Sequence, residues 1–161
     1  MSTSAFNSLW ETELYGKGQH LNRYPFDAVV TFVYRNYPRD KPRHEVHILE
    51  IGCGAGNNLW FAAREGFAVA GIDGSAHAVD FARRRFAAEN LSGDLRVGDF
   101  TQLPFRSESF DLAIDRGALV CVGGRPTRRD APPSCQCARA MNAASTALSM
   151  RAETGGPPSA E

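Results

Sequence analysis

The sequence predicts an α/β fold built on a mostly parallel sheet, and two observations carry that expectation. Between about residues 46 and 122, short runs rich in Val, Ile and Leu alternate with helical stretches of about ten residues, the pattern of βαβ units. The first of those runs leads straight into a glycine-rich segment, and a helical pattern opens right after it.

The elements follow in order. Residues 1–40 are rich in aromatics, and Phe26, Val29, Val30, Val33 and Tyr37 recur at helical spacing after Pro25, a good first-turn residue. Pro38 ends that helix by pushing its predecessor out of the α region. A polar, proline-bearing linker covers 38–45. Val46–Ile51 reads as the first strand, Asn57–Arg64 as a helix stopped near Gly66, and Phe67–Ile72 as the second strand. Ser75 is placed to cap a helix running to about Ala88, with Ala78, Phe81, Ala82 and Phe86 on its apolar face. Leu95–Val97 and Phe110–Ile114 are the third and fourth strands.

From Gly123 onward the composition changes. No aromatic, Val or Ile occurs there, and Ala, Arg, Pro, Ser and Gly dominate, so disorder is expected. The expected organisation is therefore an N-terminal helical or lid segment over 1–40, the main domain over 41–122, and a disordered tail over 123–161. No strand is expected after Val122, which would leave the fourth strand as an exposed edge open to self-association.

Bulk properties narrow the function classes. The formal net charge of zero provides no global field toward nucleic acid or anionic lipid, and neither partner is expected. No apolar run reaches the roughly 20 residues that a bilayer span needs. The cysteines Cys53, Cys121, Cys135 and Cys137 form no CxxC pair and have no His at zinc spacing, so no metal site is expected. A reduced, cytoplasmic protein fits this usage.

Glu50-Ile51-Gly52-Cys53-Gly54-Ala55-Gly56-Asn57 is the most informative segment. Glycines let the backbone turn sharply and approach a ligand at distances a Cβ would forbid, and the helix behind presents unpaired amides. Asp73 closes the second strand about twenty residues on, where a carboxylate can take the hydroxyls of a ribose. Asp99 in Val97-Gly98-Asp99-Phe100 follows the third strand, placed to accept from an exocyclic amine with Phe100 beside the ring. Leu103-Pro104-Phe105 and Ser109-Phe110-Asp111-Leu112 then lead into a strand ending at Asp115.

In this order and at these spacings, the segments over about 46–122 resemble class I S-adenosylmethionine-dependent methyltransferases. The resemblance implies a Rossmann-like three-layer sandwich that here lacks the C-terminal strands of the full fold, truncated or frameshifted after the fourth. It implies an enzyme that transfers a methyl group from S-adenosylmethionine to a small-molecule acceptor. Glu50, Gly52, Gly54 and Gly56 would line the methionine end of the cofactor, Asp73 would hold the ribose, and Asp99 with Phe100 would flank the adenine. Asp115 would face the methionine and the acceptor. A nicotinamide enzyme is the nearest rival, but its G-x-G-x-x-G wants a glycine where Asn57 stands, and a pyrophosphate would be repelled by carboxylates so near its loop. The alternative from another class is a non-catalytic, truncated cofactor-binding module.

Other residues have blander readings. Asp111 is read as structural, Arg83, Arg84 and Arg85 as a solvated helix face, and Cys121 as core. Trp10, Tyr15, Tyr24 and Phe26 either form a lid or pack a helix on the sheet, with packing favoured for Phe26. His20, His44 and His47 are read as solvated, and no catalytic residue is nominated.

Overall fold

A computed structural model describes residues 8–18, 21–99 and 102–118, together with the backbone of 139–141. After a π-helical turn at Trp10–Tyr15, the order is α1 (Asp27–Asn36), β1 (His47–Ile51), α2 (Asn57–Arg64), β2 (Ala68–Asp73), α3 (Ala76–Ala88), β3 (Asp94–Val97), β4 (Leu112–Asp115) and β5 (Arg139–Met141). The sheet runs β3-β2-β1-β4-β5. The first four strands are parallel: Glu50 of β1 lies beside Gly71 of β2 and Ile114 of β4, and Gly71 lies beside Leu95 of β3. The expected Rossmann-like α/β architecture is present.

The strand residues are buried on both faces, which is why β1 and β2 read as continuous apolar runs instead of alternating ones. One face carries the main core. Val29 and Val33 of α1, Leu59 and Ala62 of α2, and Val79, Ala82 and Phe86 of α3 pack there against Ile48, Val69, Leu95, Leu112 and Ile114. On the other face, Leu49, Ile51, Ala70 and Ile72 are covered by Leu103, Phe105, Phe110 and Ala118. The helix over 27–36 thus belongs to the same core as the strands.

Local chemistry explains most boundaries. Ser75 caps α3 by accepting from the Ala78 N–H at 3.1 Å. The fourth strand begins at Leu112, two residues later than expected, because Asp111 is used as a clamp: its carboxylate accepts from Lys41 Nζ at 2.6 Å and from the His47 N–H at 2.8 Å. Burial would raise its pKa, but these contacts win and hold it below the ordinary carboxylate range.

Two expectations need correction. No strand was expected after Val122, yet Arg139–Met141 pairs antiparallel with β4, with Ala113 opposite Met141, so β4 is not the sheet's edge. A three-residue ladder needs backbone groups alone, so nothing in an Ala- and Arg-rich stretch announces it. The arginine run is solvated at Arg83 and Arg84 as expected, but not at Arg85. Arg83 Nη2 donates to the Leu95 carbonyl at 2.7 Å, tying α3 to β3, and the Arg85 guanidinium lies 3.8 Å from the centroid of the Trp60 ring. His44 and His47 are exposed as expected. Phe100, His20, Cys121 and all of the 123–161 stretch except 139–141 lie outside the described residues. Among the described residues no helix is long and apolar enough to cross a membrane.

Candidate functional site

The candidate site forms where the C-terminal ends of β1, β2 and β4 meet the loop between β1 and α2. Register places Ile51 of β1 beside Ile72 and Asp115, so the tips of β2 and β4 flank the loop that follows. Crevices at the carboxyl ends of parallel strands are the usual ligand sites of open α/β sheets.

The loop requires glycine for two different reasons. Gly54 has φ +52, and a Cβ there would stand 2.7 Å from the Tyr15 hydroxyl. Gly56 has φ +69 and caps α2, and its Cβ would stand 2.8 Å from the Ala82 Cβ, forcing α3 away. The first lets the Tyr15 hydroxyl pack against the loop, and the second lets two helices approach.

Asp73 reaches back into this loop. One carboxylate oxygen accepts from the Gly54 N–H at 2.8 Å and the other from the Ser75 N–H at 2.8 Å. Burial raises its pKa, the two N–H donors oppose the rise, and the charge of Glu11 adds to it. A carboxylate offers about four acceptor positions, so each oxygen keeps one for another donor. The Gly98 N–H donates to the Asp73 carbonyl at 2.9 Å, which fixes the start of the loop carrying Asp99.

Glu50 is the least ordinary residue of the site. It is 2% exposed and on the main-core face of β1, where an ionised carboxylate is costly. Asn58 Nδ2 donates to its Oε1 at 2.6 Å, while Oε2 is buried with no hydrogen-bond partner. Burial pushes its pKa to about 8, reinforced by Asp73 and Asp115 and opposed by Asn58 and the Arg116 charge. Asp115 closes the turn after β4, its Oδ1 accepting from the Ala118 N–H at 2.8 Å. Cys53, buried in the loop, has its thiol pKa raised by burial and by the Glu50 and Asp73 charges, which leaves it protonated and inert.

The N-terminal segment is fastened over this region. Asn57 Nδ2 donates to the Tyr24 carbonyl at 2.8 Å, and Asn58 Oδ1 accepts from the Phe26 N–H at 3.0 Å. Further along, Glu11 accepts from the Ser75 hydroxyl and meets His77 Nδ1 at 2.5 Å, at the first turn of α3. Desolvation opposes its ionisation, but the Ser75 and His77 contacts prevail and lower its pKa.

Of the residues expected from sequence, Glu50, Gly52, Gly54, Gly56 and Asp73 converge on the loop, Asp115 stands at the neighbouring strand tip, and Asp99 follows β3. Asn57, Asn58, Glu11 and Arg116 were not anticipated. The two asparagines had a legible signal: adjacent amides opening a helix after a glycine loop, at positions facing the core. Glu11 and Arg116 had none, since their partners lie 64 and 90 residues away, in Ser75 and Phe26.

Comparison with known proteins agrees with this geometry. The profile of a family described as a methyltransferase domain matches residues 48–135. No curated protein matches the chain. Among solved structures, one from work on conversion of a disulfide bond into a thioacetal group during echinomycin biosynthesis is 31% identical, with a TM-score of 0.51 over 58% of this chain and 37% of its own. A SAM-dependent methyltransferase from Thiobacillus denitrificans, in complex with S-adenosyl-L-homocysteine, shares the fold at 23% identity, with a TM-score of 0.52 over 68% of this chain and 44% of its own. The chain thus matches less than half the length of either protein. The family profile spans more than half of these 161 residues, and the chain belongs to the methyltransferase domain family.

Proposed function

We propose that this chain binds S-adenosylmethionine at the β1–α2 loop and directs its methyl group to a small-molecule acceptor. The observation that carries the reading is Glu50, a buried carboxylate whose Oε2 has no partner, at the end of the strand that leads into the glycine loop. A buried acceptor left unpaired costs the protein free energy that an incoming donor recovers. The ammonium of a methionine tail is such a donor. A dinucleotide's pyrophosphate is disfavoured beside Glu50, Asp73 and Asp115.

On this reading Glu50, Gly52, Gly54 and Gly56 line the methionine end, and Asp73 uses its two remaining acceptor positions for the ribose hydroxyls. Asp99 and Phe100 flank the adenine, and Asp115 faces the methionine and the acceptor. When bound, the cofactor supplies a sulfonium methyl that is already electrophilic, so the chain needs no covalent intermediate. Its residues bind, orient and exclude water, and such positioning supplies up to roughly 7–11 kcal/mol in the best intramolecular cases.

Thermal unfolding with and without S-adenosylhomocysteine tests the reading. At roughly one hundred times its dissociation constant the ligand stabilises the native state by about 2.7 kcal/mol, seen as an upward shift of the transition. An unshifted transition at saturating concentrations overturns it.

A further inference from the structure

Among the described residues β3 is the outermost strand on its side of the sheet, and β2 alone pairs with it. Directly after β3, the Gly98 N–H donates to the Asp73 carbonyl at 2.9 Å. Backbone groups alternate sides along a strand, so Asp94 and Arg96 turn theirs toward β2 while Leu95 and Val97 turn theirs outward. Outward backbone groups on an edge strand are a template for another chain. Val97, 45% exposed, adds apolar surface beside them.

The chain that fits this edge is a second copy of itself, laid antiparallel. Leu95 would then exchange both its hydrogen bonds either with Leu95 of the second copy or with that copy's Val97. The Val97 register sets Arg96 directly opposite its own counterpart, and like charges so placed repel. The Leu95 register sets Asp94 opposite Arg96 on both sides of the axis, an attractive pair. Both registers need the Leu95 carbonyl, and that carbonyl is taken. Arg83 of α3 donates to it from Nε at 3.1 Å and from Nη2 at 2.7 Å, while Arg83 Nη1 lies 3.4 Å from Asp80 Oδ1 one turn away. A charged donor bonds a carbonyl more strongly than a neutral backbone N–H does. Arg96 is also satisfied within its own strand, donating to the two Asp94 carboxylate oxygens at 2.8 and 2.6 Å. We propose that Arg83 closes the β3 edge to a second copy of this chain by holding the Leu95 carbonyl that both pairings require.

Sedimentation velocity of the full chain over a concentration series reads association, and hydrogen exchange at the Leu95, Arg96 and Val97 amides reads its place. Arg83→Met keeps the reach of the side chain and removes its donors. Arg84→Met removes the same charge from the exposed neighbouring position. Arg83→Met is expected to self-associate about 10- to 100-fold more tightly than wild type, the range set by the loss of a charged hydrogen bond. Exchange at its Leu95 and Val97 amides is expected to slow as concentration rises, because pairing would cover them. Arg84→Met is expected to match wild type, and Arg83→Lys, which keeps the charge without the fork, to fall between. The Arg96 amide faces β2, so its slow exchange shows that a variant is folded. Equal association of wild type and Arg83→Met overturns the proposal. Equal association of Arg83→Met and Arg84→Met overturns it as well, since net charge would then be the cause. Association of Arg83→Met with Leu95 and Val97 exchange unchanged or faster overturns it too, because the contact would lie elsewhere. Loss of Arg96 protection in Arg83→Met overturns it in favour of a purely structural tie between α3 and β3.

Discussion

Replacing Glu50 by Gln exposes the conflict between stability and binding at this site. The carboxyl titrates near 4.5 in ordinary surroundings and is pushed up to about 8 by burial in the native state. Between these values the unfolded chain is ionised there while the native chain keeps its proton. Since the native pKa is raised, the group's contribution to stability is full below 4.5 and is lost as pH rises toward 8. Each pH step in that window costs the native state about 1.4 kcal/mol, which amounts to about 3 kcal/mol by pH 6.5 and on the order of 5 kcal/mol above pH 8. Glutamine keeps an oxygen for Asn58 Nδ2 and does not titrate. Its amide nitrogen sits where Oε2 has no partner, a cost of about 1–3 kcal/mol that is the same at every pH. The stability of Glu50→Gln relative to wild type should therefore climb steadily from pH 5 to pH 8 and then level. Urea unfolding of both proteins at pH 5, 6.5 and 8.5 measures it, and parallel pH profiles for the two would refute the reasoning. The same variant should bind S-adenosylhomocysteine about tenfold or more weakly, because glutamine, unlike Glu50, has no proton to release and cannot become a charged acceptor for the ammonium.

Other sites give sharp expectations. Gly56→Ala combines a left-handed φ of +69 with a Cβ 2.8 Å from Ala82 Cβ, and should cost about 2–4 kcal/mol by urea unfolding, the sum of the conformational and overpacking penalties. Asn58→Ala leaves the Phe26 N–H without its acceptor and Glu50 Oε1 without its donor, and should cost about 2–4 kcal/mol and loosen the N-terminal arm, seen as faster amide exchange at Phe26. Asp111→Ala removes the clamp on Lys41 and His47, and should lose about 1–2 kcal/mol at pH 7. Because the Asp111 pKa is lowered from 3.8, that deficit should vanish as pH falls below this value, and a deficit that persists in acid would sink the account.

Much of the architecture was legible because its signals are local. The Asn57–Arg64 helix and the Ser75 cap were both assigned from neighbouring residues alone, and the structure places both as assigned. The glycine loop was legible for the same reason, since left-handed backbone leaves glycine as the ordinary choice. The start of β4 was misplaced because Phe110 and Asp111 follow on as if part of the strand, while the role of Asp111 depends on Lys41, 70 residues away in the chain. The π-helical turn at Trp10–Tyr15 had no periodic apolar face to announce it, and its anchor at Ser75 and His77 is visible only in three dimensions. Arg85 was misjudged because a charged triplet on a helix is usually solvated, as Arg83 and Arg84 are, whereas Arg85 lies over an indole.

The manner in which Asn57 and Asn58 hold the arm bears on how such a site can diversify. Both grip main-chain atoms, the Tyr24 carbonyl and the Phe26 N–H, so the attachment is indifferent to the side chains it carries. Tyr24 points largely into solvent, 71% exposed, directly beside that anchor. The arm behaves as a socket with an exchangeable fitting: side chains at positions such as 24 can be replaced during evolution without undocking the segment or disturbing the loop beneath. The surface that the arm presents can then change in one short stretch, while the two hydrogen bonds that dock it persist.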